Sequence, residues 1–89
     1  MPEQAVEIVN KLGLHARAAA KLTQVAGGFH SEIWLSRSGR RVNAKSIMGV
    51  MMLAAAQGAK LVIETEGPDE NEAMQAVAGL IAGRFDEDE

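Results

Sequence analysis

Four short strand-patterned runs are interleaved with three helix-forming segments in only 89 residues, and that alternation most limits what the chain can fold into. Residues 5–9 are rich in β-branched side chains. Residues 31–37 alternate, with Ile33 and Leu35 on one side and Glu32, Trp34 and Ser36 on the other. Ser38-Gly39 predicts a tight turn into a return strand over 40–43, and residues 60–66 alternate again. Between them, residues 16–26 are strong helix formers, and Ala18, Leu22, Val25 and Ala26 recur at helical spacing. Gly27-Gly28 is expected to end this helix through the left-handed conformation open to glycine. Ser46 is a candidate N-cap for a short helix over 47–56. Asp69 with Glu72 resembles a capping box ahead of a last helix, which places Met74, Val77, Leu80 or Ile81, and Phe85 on one face with Arg84 near its end. Residues 86–89 read as a frayed acidic tail.

The resulting order is β-α-β-β-α-β-α. Such a chain covers its helical stripes by laying three helices on one face of a four-stranded antiparallel sheet, an open-faced α+β sandwich. The other sheet face is expected to be polar, carrying Glu7, Glu32, Glu64 and Glu66. No linker or repeat divides the chain, so residues 1–89 are expected to form one domain, and a monomer.

The chain has no cysteine, which removes disulfides, thiol catalysis and cysteine-bound zinc and fits a reducing compartment. Its longest apolar run, residues 47–56, is too short to span a bilayer, and the first residues lack a signal-peptide pattern. A soluble cytoplasmic protein with no membrane insertion is the expectation. Charge is unevenly spread. Residues 11–60 hold eight Lys/Arg against one acid, for a net +7, whereas residues 61–89 hold nine acids against Arg84, for a net −8. A basic face for an acidic partner or an anion is one interpretation, although sequence blocks need not map onto faces.

His15 is the residue most open to a chemical interpretation. It stands where a loop broken by Gly13 meets a helix start, beside backbone N–H groups that lack helical acceptors. Such a helix end attracts anions, and Arg17 in its first turn is a cation where the helix dipole disfavours one. Imidazole, amides and guanidinium together can hold a phosphoryl group on the ring, whose attacking nitrogen must be neutral. A loop histidine that merely caps the helix is the plain alternative. His30 reads as a surface histidine. Ser46 reads either as a cap alone or as a modification site. Phosphate there adds about −1.5 to −2 charges beside the methionine-rich segment Ile47-Met48-Gly49-Val50-Met51-Met52, an adaptable docking surface in one reading and a small core helix in the other. No metal-ligand spacing, Walker loop or paired catalytic carboxylates occur. One Trp, two Phe and no Tyr leave little for nucleic acid to stack on. Two competing classes share the α+β pattern. A small-molecule sensor needs convergent polar groups in a cleft, and an RNA-binding domain sits poorly with the acidic balance.

Asn10-Lys11-Leu12-Gly13-Leu14-His15-Ala16-Arg17 resembles the active-site segment of the HPr family, the histidine-containing phosphocarriers of the bacterial phosphoenolpyruvate-dependent sugar phosphotransferase system. Val42-Asn43-Ala44-Lys45-Ser46-Ile47-Met48-Gly49-Val50-Met51-Met52-Leu53 resembles its regulatory-serine segment. Length, element order and motif spacing match over essentially the whole chain. The resemblance implies a stoichiometric carrier rather than an enzyme, with no cofactor and no metal. It implies that Nδ1 of His15 accepts a phosphoryl group from enzyme I and passes it to an EIIA domain, with Arg17 and the backbone N–H of Ala16 and of Arg17 steadying it. It implies phosphorylation of Ser46 by HPr kinase/phosphorylase, carbon catabolite regulation linked to sugar transport, and a docking surface of Leu12, Ala16, Arg17, Ala20, Gln24, Ile47, Met48 and Met51. Ala18 stands where many members have proline, which puts the preorganisation of His15 in question. Gln24 and Gly27 stand where many have lysine, which leaves the docking face less basic and points to a nitrogen-related or regulatory branch.

Overall fold

The computed structural model of the chain describes residues 2–86. Strands β1 (Glu3–Glu7), β2 (Glu32–Arg37), β3 (Arg40–Asn43) and β4 (Lys60–Glu66) form one antiparallel sheet in the order β1-β4-β2-β3. Helices α1 (Ala16–Gly27), α2 (Ile47–Met52) and α3 (Glu70–Ala82) cover one face, and a 3-10 turn follows at Arg84–Asp86. The open-faced α+β architecture expected from the alternation is the observed one.

Register explains which side chains the helices cover. Ile33 and Leu35 on β2, with Leu61, Ile63 and Thr65 on β4, point to the helical side and are buried. Against them pack Ala18, Ala19, Leu22 and Ala26 of α1, Val50 of α2, and Ala73, Met74, Val77 and Ile81 of α3. Small alanines on α1 let it pack against α2 and α3, while α3 lies closest to β4 and β1. On the outer face, Glu3↔Glu64, Trp34↔Glu64 and Glu32↔Glu66 are cross-strand neighbours, so it is polar and acidic. Arg41 relieves part of that charge. Its guanidinium lies 4.1 Å from the Trp34 ring centroid and its Nε 3.3 Å from Glu64 Oε1.

Several local expectations are corrected. β1 begins and ends two residues earlier than the β-branched run. Ile8 lies beyond it, bonded to the loop before β4 through Ile8 N–H to Ala59 O (2.9 Å) and Gly58 N–H to Ile8 O (2.7 Å). Helix α1 does not end in a left-handed glycine: Gly28 has φ −78°, and Gly28 and Phe29 close the end with i→i−3 bonds to Val25 O and Ala26 O. Helix α2 stops at Met52, because Ala54 turns left-handed at φ 50° and the apolar stretch beyond continues as loop.

Asp69 is the N-cap residue of α3, but its side chain makes no capping bond and no capping box forms with Glu72. Its carboxylate accepts from His30 N–H (2.9 Å), Ser31 N–H (2.8 Å) and Ser31 Oγ (2.5 Å), while Ser31 Oγ accepts from Asp69 N–H (3.1 Å). These bonds, led by the Ser31 hydroxyl, hold the Asp69 carboxyl down at about 2. They tie the start of β2 to the start of α3. Phe85 is fully buried but does not continue the face of α3. Arg84, Phe85 and Asp86 all have positive φ (59°, 54°, 63°), and this left-handed turn swings the ring inward. Arg84 therefore lies past α3 rather than in its last turn. Lys21 Nζ donates to Phe85 O at 2.7 Å and fastens the turn to α1. Of the expected acidic tail, residues 87–89 lie outside the described residues.

The basic block does not map onto one face. Arg41 and Lys60 sit in the outer register of the sheet, Arg17 on α1, and Arg37 and Arg40 beside the end of α2.

Candidate functional site

The segment before α1 is built to present one residue. Asn10 is buried, and its Nδ2 donates to Gly13 O at 2.9 Å while Gly13 N–H donates to Asn10 O at 3.2 Å. Gly13 has φ +68°, and a Cβ placed there would come within 2.5 Å of Ala55 O and 2.9 Å of Ala56 Cα. Only glycine satisfies both the backbone angle and the contact. Leu14 N–H then donates to Ala55 O at 2.8 Å, and the Leu14 side chain is buried. The chain is thus anchored on both sides of the position just before His15.

His15 is the N-cap of α1, with extended φ −76° and ψ 176°. Its carbonyl accepts the first helical bond, from Ala19 N–H at 2.9 Å. Its side chain makes no capping bond, so the imidazole is not used in place of serine or aspartate to close the helix end. The N–H groups of Ala16, Arg17 and Ala18 have no helical acceptor, and no acid lies in the first turn. Ala16 and Arg17 are exposed, and Arg17 makes no hydrogen bond or ion pair with any described residue. His15 itself is half-buried. An imidazole at a helix N-terminus beside a guanidinium can carry a tetrahedral anion on the ring and share its charge among these donors.

Ser46 is the N-cap of α2. Its Oγ accepts from Gly49 N–H at 3.1 Å, its carbonyl accepts from Val50 N–H at 2.9 Å, and it is exposed. Val50 is the one buried residue of α2. Ile47, Met48, Met51 and Met52 are exposed by 41%, 69%, 41% and 57%, and Leu12, before His15, by 68%. Five large apolar side chains on one small protein need an explanation other than core packing. Ala20 and Gln24, four residues apart on α1, lie on the accessible side of that helix, which packs on α2. Met52 belongs to the methionine-rich segment read as a docking surface, although the resemblance does not place it among the docking residues. It lies one helical turn after Met48 and shares that residue's outward face.

His30 is exposed and engaged through its backbone to Asp69, apart from this constellation. Among the described residues no group of three His, Asp or Glu side chains could hold a metal ion, and no helix is long and apolar enough to cross a membrane.

A protein-family model described as "PTS HPr component phosphorylation site" matches residues 2–83. A "Phosphocarrier protein HPr" from Cupriavidus necator is 62% identical over 89 residues, covering all of both chains. The crystal structure of HPr-C-His from Thermoanaerobacter tengcongensis superposes with a TM-score of 0.96 at 47% identity, covering all of both chains. A crystal structure described as an HPr dimer from the same organism matches with a TM-score of 0.79 at 48% identity, over 98% of this chain and 100% of that one.

Proposed function

The chain belongs to the HPr family of phosphocarriers of the phosphotransferase system, and from that premise we propose that His15 is the residue that carries the phosphoryl group. The observation that supports this most directly is an N-cap whose side chain leaves the helix amides uncapped, with exposed Arg17 one helical position beyond Ala16. Neutral Nδ1 attacks phosphorus in line. A P–N bond forms, the bond to the donor breaks, and the donor departs with the electron pair. As charge spreads over the equatorial oxygens, Arg17 and the N–H groups of Ala16 and Arg17 accept part of it without rearrangement, because the helix already fixes them. Transfer onward is the same displacement in reverse, with an acceptor as nucleophile. The donor in this reading is enzyme I charged by phosphoenolpyruvate and the acceptor an EIIA domain. The protein is a stoichiometric relay that acts in the cytoplasm as a single-domain monomer.

Leu12, Ala16, Arg17, Ala20, Gln24, Ile47, Met48 and Met51 form the docking surface, with Met52 added by its exposure. Flexible methionines suit a carrier that must fit several partners in turn. Ser46 regulates that surface. A phosphate on its Oγ places about −1.5 to −2 charges at the edge of an apolar contact, where burying them against a partner is costly. HPr kinase/phosphorylase is the enzyme class for that step.

Incubation with enzyme I and phosphoenolpyruvate should add one acid-labile phosphate per chain, and His15→Ala should accept none. Label retained by that variant removes His15 from the mechanism.

A further inference from the structure

Arg37, Arg40 and Arg41 flank the β2–β3 turn, and the fold treats them differently. Arg41 is spent on the outer sheet face against Trp34 and Glu64. Arg37 and Arg40 are register partners on the other side. Arg37 Nη1 donates to Leu53 O at 3.0 Å, and Arg40 Nη1 donates to Met52 O at 2.9 Å, two successive carbonyls at the end of α2. Neither guanidinium meets a carboxylate among the described residues. With Ser38, Met52, Leu53 and Ala54 they line a cleft of ≈ 280 Å³.

An arginine at a helix C-terminus satisfies an orphan carbonyl and complements the helix dipole, which accounts for one N–H of each side chain. A guanidinium has five. Two cations held at the border of one cleft also repel, and one of them would suffice to complement a helix of six residues. The carbonyl bonds fix both forks before any ligand arrives, so little side-chain freedom remains to be lost on binding. The lining contains no acid, a Ser38 hydroxyl stands between the arginines in sequence, and Met52 and Leu53 add an apolar portion. Paired forks, a hydroxyl and an apolar wall suit a tetrahedral dianion bearing a small organic group.

We propose that the cleft between the β2–β3 turn and the end of α2 binds a small phosphomonoester through Arg37 and Arg40. This site is separate from His15 and does not depend on phosphoryl transfer. The phosphate group is the shared chemistry, and free phosphate and an organic ester are its two sources.

The test is a titration of ¹⁵N-labelled protein at constant ionic strength with phenyl phosphate and, separately, with inorganic phosphate. Saturable shifts are expected at the amides of Ser38, Gly39 and Ala54. Arg37→Ala and Arg40→Ala should each weaken binding about tenfold or more, with a dispersed spectrum confirming that the fold is kept. Arg41→Ala and His15→Ala should bind as the parent does, so failure of the phosphotransfer reading leaves this result untouched. Tighter binding of phenyl phosphate supports an organic ester, and equal binding supports the same site filled by free phosphate. Shifts at Ser38, Gly39 and Ala54 that never saturate or that survive loss of both arginines, or shifts that spread evenly over all exposed cations, overturn the proposal.

Discussion

Substituting Gly13 by alanine tests whether the loop before His15 is held by geometry or merely tolerates glycine. At φ +68° an alanine pays the left-handed penalty, about 1–2 kcal/mol. Its Cβ would also sit 2.5 Å from Ala55 O, the atom that accepts the Leu14 N–H bond. The loop must retreat and that bond stretches or breaks, at a further cost of about 1 kcal/mol. Reduced freedom of the unfolded chain returns about 0.4–1 kcal/mol. The net loss is about 2 kcal/mol, which lowers Tm by about 8–16 °C in a domain of this size. Gly39→Ala is the internal control. Gly39 has φ +84° but nothing within 4 Å of its ideal Cβ, so it carries the backbone penalty without the collision. Differential scanning calorimetry of both variants should show Gly13→Ala clearly the worse. The amide of Leu14 should lose exchange protection in Gly13→Ala alone. Equal melting temperatures for the two variants would refute the argument, because the contact with Ala55 would then count for nothing.

Other outcomes follow from the same structure. Ser46→Ala removes the bond to Gly49 N–H and should cost about 1 kcal/mol in thermal unfolding. Ser46→Asp keeps an N-capping acceptor, so it should melt near the parent temperature yet dock enzyme I more weakly by calorimetric titration; unchanged docking would remove the switch. Phe85→Ala empties a fully buried site and should cost about 3–5 kcal/mol by urea unfolding. Asp69 titrates near 2 in the fold against an ordinary 3.8, so its contribution is whole above about pH 4 and disappears as pH falls toward 2. Ser31→Ala removes the largest cause of that depression. The Tm difference between parent and variant should therefore be widest above pH 4 and narrow on acidification; a gap that widens instead reverses the sign of the argument.

The sequence carried much of this fold because local and global signals agree over most of it. The alternation in residues 32–37 and 60–66 is the burial pattern itself, and Ser46 caps the helix that its position implies. Where the two diverge, a distant partner decides. Asp69 is locally a cap, but Ser31, 38 residues away, outbids the helix for its carboxylate. Residues 53–56 have helical propensity, yet Leu14, Arg37 and Arg40 take up backbone carbonyls in and beside that stretch as loop partners. Nothing in Arg84-Phe85-Asp86 announces a left-handed turn; only the buried ring and the Lys21 bond account for it. For the site, the helix start at His15 was legible from Gly13 and the helix formers after it. The bonds of Arg37 and Arg40 to Leu53 O and Met52 O were not, since they depend on where α2 ends.

Strand β1 has a single neighbour, β4, which lies more than fifty residues further along. A ribosome must therefore release the chain through residue 66 before the opening segment has any ladder to join. Until then the β2–β3 hairpin can form, but the flank of β2 that β4 will occupy stays open. Closing so long a loop is entropically slow, and the sheet should be completed only once β4 has emerged, well after the β2–β3 hairpin can form.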